Sequence, residues 1–576
     1  MADDIMTLKF ESAKNMDSLS DRHQVIEESL LRIPFFSSLP HQALSAIAAK
    51  LKKVHFEHGE IVFAENSLGD SMYLIESGQV EVSVNTGASQ EKVINYLGPG
   101  NFFGEMALLL DQRRSATVTV TLDADFWALR KADLDELLVD HPEIALQITR
   151  EVSRRLSDVM ANVKKRPGYS LVAVLGDGAW RLAESIYRLT HQRVVLLDVT
   201  RRNLASQIGF DFQSEDLVIL EAMADLSSDT LAETLSILMD GYNWVLMALP
   251  PGYNEINAKA LRLAKATVLL NTAQEDWMTV WASGPVFYCD LSEEEIGRLT
   301  RRITDRVIGL ALSSGGARGI AHVGVLQVLK EANIPIDIIA GTSAGSLFGG
   351  LYVSGKPLDE IANFARNLVK LIDFKSGLWD PKLGLPWNGL IKGNATLKYL
   401  SKQFNDTTFA DTKIPFYVVA ADVVSGEEVV FEQGYLAEAV RASIGIIGIF
   451  SPYHCNGHFL IDGGAVNPVP ANILAEKGAN IIIASSVIPP VEKGWLLGQT
   501  MTDRRESLSF FHVLGNMMAI MEREIIKTRM NPVDILIQPR VETYTSMDYD
   551  KAEDFIQLGR EAAERELPLL QKLLHN

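Results

Sequence analysis

The spacing of apolar positions changes character along this chain. Between residues 60 and 97, short apolar stretches (60–64, 71–75, 79–84 and 92–97) are cut by Gly69-Asp70, Gly78 and Gly98-Pro99-Gly100. Short strands with glycine turns predict an antiparallel β-barrel or jelly roll. From residue 131 the pattern turns helical. Leu134, Leu137, Leu138, Ile144, Ile148 and Val152 repeat until Lys164-Lys165-Arg166-Pro167-Gly168 stops them. Apolar runs follow at 171–175, 193–198, 244–249 and 266–270, with helix-like stretches between them. Such alternation predicts buried parallel strands in βαβ units. It returns at 307–312, 336–340, 416–422, 428–432, 481–485 and 533–537, and a helix over 550–574 closes the chain.

These breaks give a frayed polar N-terminus (1–27), a β-roll with helices (28–163), a middle α/β domain (169–300) and a C-terminal α/β domain (301–576). A chain of 576 residues needs several cores. Its 54 basic and 73 acidic residues give a net charge of −19. That argues against nucleic-acid binding and against adhesion to anionic lipid by charge alone. Two cysteines, Cys289 and Cys455, build no disulfide framework, so a reducing compartment is the default. The first twenty residues lack the apolar core of a signal peptide, and no run of 18 apolar residues occurs. A cytoplasmic protein, peripheral at most to the inner membrane, is expected.

The densest chemistry lies at 307–350. After the apolar run 307–312 comes a glycine-rich turn, Ser314-Gly315-Gly316-Ala317-Arg318-Gly319, then a helical stretch. The run 336–340 ends in Gly341-Thr342-Ser343-Ala344-Gly345. This is a G-x-S-x-G elbow, in which Gly341 and Gly345 permit a tight strand-to-helix turn that lifts Ser343 to a helix N-terminus. The upstream loop can turn the N–H groups of Gly315, Gly316 and Ala317 inward as an oxyanion hole, with Arg318 positioning it. The loop lacks G-x-G-x-x-G spacing and a Walker lysine, which argues against a nucleotide site there. A base for the serine is available at Asp462, which ends the apolar run of Phe459-Leu460-Ile461-Asp462-Gly463-Gly464. A strand's carboxyl end is where α/β sheets place their sites. As a lone motif, Asp-Gly would be an ordinary turn.

Glycine loop, GTSAG and DGG in that order resemble the patatin-like phospholipases, from about residue 307 to the C-terminus. The resemblance implies a Ser343–Asp462 dyad without catalytic histidine, and hydrolysis of lipid esters through an acyl-enzyme. The family loop usually begins with one more glycine, where this chain has Ser314. A pair at His454 and His458 precedes Asp462 and could complete a triad or hold metal, but lacks a third partner; His322 suits helix packing, and no metal site is expected.

In the first domain, Phe103-Gly104-Glu105-Met106-Ala107 is followed by Arg113-Arg114-Ser115-Ala116-Thr117. A roll carrying this cassette resembles the cyclic-nucleotide-binding domains. Gly104 opens a short helix toward a phosphate, Glu105 can accept from a ribose hydroxyl, and Arg114 beside Ser115 can supply paired donors. The family has proline where Arg113 stands. A cassette that keeps the fold and binds nothing is the alternative. The middle domain weakly resembles partitioning-type P-loop ATPases, but Gly176-Asp177-Gly178-Ala179-Trp180-Arg181 has no G-K-[ST] and Ala248 stands where an aspartate is expected. It reads as a degenerate nucleotide fold.

The order of roll and hydrolase resembles the neuropathy target esterase family, which implies a phospholipid or lysophospholipid substrate and transient membrane contact. No cofactor is required; a cyclic nucleotide, cAMP or cGMP, would be a regulator. The rivals are a nucleotide-sensing scaffold with an inert hydrolase fold and an acyltransferase. Residues 378–387 and the Met- and Phe-rich stretch 507–530 are candidate lipid contacts, though such stripes are more often core.

Overall fold

The computed structural model describes residues 39–85, 91–110, 112–141, 144, 170–202, 204, 216–224, 226–372, 380, 391–489, 510–529 and 532–575. They fall into two units, one ending at Thr304 and one starting at Asp305.

In the first unit, β1 (Lys52–Phe56), β2 (Ile61–Phe63), β3 (Ser71–Asn85), β4 (Glu91–Leu97), β5 (Phe102–Phe103) and β6 (Thr117–Arg130) form an antiparallel roll. The stretches 71–75 and 79–84, expected as two strands, are one. Gly78 adopts φ 85° and the register against β6 shifts on both sides of it, so the glycine absorbs a bulge instead of ending the strand. Helix Lys131–Asp140 follows; except for Ile144, the rest of the predicted helical run lies outside the described residues.

The middle domain is a parallel sheet of β7 (Leu171–Leu175), β8 (Val194–Asp198), β9 (Leu217–Glu221), β10 (Trp244–Leu249), β11 (Ala266–Leu270) and β12 (Val286–Cys289), in the order β12-β11-β7-β10-β8-β9. Buried on both faces, β7, β8, β10 and β11 carry no alternation. Roll and sheet pack together within this unit. Leu122 of β6 enters the sheet's core, Ser236 and the Gly78 backbone exchange hydrogen bonds, and Lys259 pairs with Asp123.

The second unit is built on β13 (Ile308–Leu312), β14 (Ile338–Thr342), β15 (Phe416–Asp422), β16 (Glu428–Phe431), β17 (Tyr453–Cys455), β18 (His458–Asp462), β19 (Ile481–Ser485) and β20 (Ile535–Ile537). The order is β17-β18-β15-β14-β13-β19-β20, with β16 also on β15. The β13–β14 pair, β15 and the β19–β20 pair run parallel, while β16 and β18 run antiparallel to β15. Helix Ala321–Glu331 packs on the C-terminal helix Ala552–His575, and the core gathers Leu310, Leu326, Phe348, Phe404 and Phe555.

The register along β15 positions the residues of the site. β14 pairs with the first part of β15, up to Thr342 opposite Val419; β18 pairs with the last part, starting at Asp462 opposite Ala420. Two strands thus approach along one edge of β15 from opposite directions, and their carboxyl ends meet.

Candidate active site

Ser343 is the residue after Thr342, so this meeting sets it beside Asp462. Its Oγ donates to Asp462 Oδ2 at 2.6 Å. The elbow is sharp: Ser343 holds φ 53° and ψ −117°, outside the ordinary region for a residue with a Cβ. Its N–H donates to Ser443 Oγ at 2.8 Å, and Ser443 in turn donates to the Val419 carbonyl, which fixes the turn to β15. The flanking glycines are required by close approach. A Cβ on Gly345 would lie 2.1 Å from the Leu312 carbonyl oxygen, and one on Gly341 would lie 2.6 Å from the Gly345 carbonyl oxygen.

Asp462 is buried, and burial pushes its carboxyl up to about 6, against the pull of its bonds from Ser343 and from the Gly464 N–H at 2.8 Å. A carboxylate held there is a stronger base than an exposed one and is still mostly ionised at pH 7.

The glycine loop becomes a short 3-10 turn, Gly316–Ile320, packed on the elbow helix Ala344–Val353. Not all its amides are free to meet an oxyanion. The Ala317 N–H donates to the Ser546 carbonyl at 2.9 Å and the Ser314 N–H to the Pro468 carbonyl at 2.9 Å. Ala317, expected among the donors, is therefore committed elsewhere in this arrangement, because the segment before Tyr549 lies across the loop. The N–H groups of Gly315 and Gly316 have no such backbone partner among the described residues. Arg318 is buried, with Nε 3.5 Å from the Gly315 carbonyl oxygen, a loop-bracing position.

A cavity of about 190 Å³ opens at Ser343 and Gly316. Its walls are apolar: Leu347 and Phe348 of the elbow helix, Phe364 and Leu368, Ile444 to Phe450, and Tyr549. Burial pushes the Tyr549 hydroxyl up to about 12, so it stays protonated. Arg441 ties one wall together, donating to the carbonyls of Lys392, Gly393 and Ser451 with its guanidinium 4.4 Å from the Phe450 ring centre. The small apolar stretch around 441–452 passes the dyad, with the Gly445 carbonyl accepting from the Asp462 N–H at 2.9 Å. The Phe364–Tyr399 wall and Tyr549 carry no local motif that could have flagged them.

The histidines lie elsewhere. His322 bridges Ser485 Oγ (2.8 Å) and the Ser313 carbonyl (2.9 Å), and burial pushes it down to about 4, so it is neutral packing. His458 pairs with Asp422 at 2.9 Å, and His454 stacks near Phe459. Among the described residues no cluster of three metal-ligating side chains occurs. Residues 378–387, Asp380 apart, and 507–509 lie outside the described residues, as do the side chains of 510–516. Further along that helix, Phe510–Arg529, Met517, Ile520 and Met521 are exposed.

In the roll, Gly104, Glu105 and Arg114 come together. Arg114 is buried, donates to the carbonyls of Gly104 (2.8 Å) and Ser71 (2.6 Å), and stacks on Phe63 with its guanidinium carbon 3.9 Å from the ring centre. Its Nε has no hydrogen-bond partner among the described residues. Ser115 follows it at the surface.

Residues 310–475 match the family described as patatin-like phospholipase, and residues 53–141 match the cyclic nucleotide-binding domain. An NTE family protein of Mycobacterium tuberculosis is 25% identical over 77% of this chain and 77% of its own. Neuropathy target esterase sws of Drosophila melanogaster is 25% identical over 75% of this chain and 36% of its own, and human patatin-like phospholipase domain-containing protein 6 is 23% identical over 87% and 43%. The chain thus spans under half the length of those two animal relatives. Among solved structures, the Thermus thermophilus catabolite activator protein aligns at 25% identity over 27% of this chain and 67% of its own, with a TM-score of 0.22. Among the described residues no helix is long and apolar enough to cross a membrane.

Proposed function

We propose that this chain, a patatin-domain protein of the neuropathy target esterase family, is a serine acyl hydrolase acting on phospholipid or lysophospholipid esters. The observation that carries the reading is the 2.6 Å bond to Asp462 from Ser343 Oγ, in a residue that lines an apolar cavity. The cavity suits a fatty acyl chain, and the dyad sits where the chain's ester would lie.

Asp462 takes the proton as Ser343 Oγ bonds to the ester carbonyl carbon. The developing oxyanion is met by the N–H groups of Gly315 and Gly316, aided by the N-terminus of helix Ala344–Val353. Collapse breaks the ester bond, and Asp462 returns its proton to the departing alcohol. Water, deprotonated by Asp462, then bonds to the acyl carbon, the bond to Ser343 Oγ breaks, Asp462 returns the proton to that oxygen, and the fatty acid leaves. The exposed Met517, Ile520 and Met521 offer an apolar contact to a lipid surface, in keeping with a net charge of −19 that gives no electrostatic attraction to anionic membranes. Cyclic nucleotide is the regulator in this reading. Glu105 and Arg114 are its ribose and phosphate partners, with Gly104 and Ser115 framing the phosphate.

The test is release of fatty acid from lysophosphatidylcholine by the purified protein, alongside labelling by a fluorophosphonate. Ser343→Ala should lose both while keeping its melting profile. Turnover that survives in Ser343→Ala would refute the reading, and products formed only with an added alcohol acceptor would favour acyl transfer.

A further inference from the structure

A second carboxyl reaches this site from a distant part of the chain. Glu522, on helix Phe510–Arg529, accepts a hydrogen bond from Ser314 Oγ at 2.7 Å. Ser314 opens the glycine loop and stands where the family pattern has glycine. A Cβ placed on Gly464 would fall 2.6 Å from Glu522 Oε1, 3.1 Å from Asp462 Oδ1 and 3.2 Å from Ser314 Cβ. The two carboxyl oxygens are therefore within about 6 Å of each other, the range in which one carboxylate alters another's proton affinity. The second glycine of the DGG motif is also accounted for: a side chain there would displace Glu522.

We propose that Glu522 is a positioning residue of the hydrolase site, linking the glycine loop to the Asp462 turn through Ser314 and, when ionised, strengthening Asp462 as a base. This rests on the Ser343–Asp462 reading above. Part of this role is mechanical. Ser314 has its N–H fixed by Pro468 and its hydroxyl fixed by Glu522, so the loop's entry is anchored at both ends before Gly315 and Gly316. Glu522 also acts through its charge. Glu522 is pushed up to about 7, first by loss of water and then by Asp462, while the Ser314 bond and the cations Arg318 and Arg523 pull it down. Asp548 faces Arg318 from the segment before Tyr549. With Asp462 at about 6, the pair titrates in two steps. Asp462 becomes available as base in the first; Glu522 ionises in the second and makes the neighbouring carboxylate a stronger proton acceptor.

The test is the pH profile of kcat/KM from pH 5 to 9, on a soluble aryl ester, with the full-length protein. Wild type should rise through about 6 and again, by about threefold, through about 7. Glu522→Gln can still accept from Ser314 but cannot ionise, so it should keep the first rise and lose the second. Ser314→Ala removes the bond that holds Glu522 down, so its second rise should move to higher pH, with kcat lowered more than KM is raised. A purely structural role would scale activity equally at every pH. A Glu522→Gln profile parallel to wild type would overturn the proposal. If that variant does not fold, an unmoved second rise in Ser314→Ala would do so. Ser343→Ala serves as the control: if it stays active, the dyad reading fails; if it is dead while the Glu522→Gln profile is unchanged, only the Glu522 inference fails.

Discussion

Replacing Asp462 by asparagine should abolish turnover and, at neutral pH, make the hydrolase unit more stable. Asp462 is 4% exposed, and its carboxyl is pushed from 3.8 to about 6. The unfolded chain ionises the same group freely, so a raised folded pKa costs stability above it. Two units correspond to about 3 kcal/mol. Below about pH 3 both states are protonated and the cost is absent; the share of Asp462 itself grows as pH rises to about 6 and then levels off, and repulsion from ionised Glu522 adds to it near pH 7. Asparagine keeps one acceptor in place of two, so one of the bonds from Ser343 and Gly464 is lost, at about 1 kcal/mol. The net gain at pH 8 is then about 2 kcal/mol, or about 5 °C in Tm for a unit of this size. Calorimetry of both full-length proteins at pH 5, 6, 7 and 8, with lysophospholipid turnover measured on the same samples, checks this. The Asp462→Asn gain should be greatest at pH 8, shrink below pH 6 and vanish near pH 4.5. A gain independent of pH, or destabilisation at pH 8, would refute the idea that Asp462 is held as a costly buried base.

Gly345→Ala should cost about 3 kcal/mol or more, read as insoluble or early-melting protein, since its Cβ would lie 2.1 Å from the Leu312 carbonyl oxygen. Leu347→Trp should fill the cavity beside Ser343 and lower kcat/KM for long acyl chains about tenfold or more while sparing short esters; a series of chain lengths reads the ratio. Arg114→Lys should weaken cAMP binding about tenfold in calorimetry, because one ammonium cannot reproduce the guanidinium fork, and unchanged affinity would argue for a silent cassette.

The strands were legible because burial on both faces leaves an unbroken apolar run. The runs at 171–175, 244–249, 266–270, 416–422 and 481–485 coincide with β7, β10, β11, β15 and β19. The expected gap in β3 was not legible as a bulge, because a glycine reads alike in a turn and in a strand that shifts register. Gly341, Ser343 and Gly345 stood out because a tight turn confines residue types within five positions. Glu522 did not, because on a helix of charged and apolar residues a single glutamate carries no local signature. The commitment of Ala317 was equally hidden, since it depends on a carbonyl more than two hundred residues away.

The sequence by itself determined the local conformations: which runs are strands, where the elbow turns, and which glycines must lack a side chain. These follow from sterics and solvent exclusion acting over a few residues. Tertiary structure alone decided that β14 and β18 end against each other along β15, bringing Ser343 and Asp462 together across 119 positions, and that Glu522 comes to lie beside them. The reason is physical. Strand register, and the loss of water that raises these carboxyls, arise only when segments remote in the chain pack against one another.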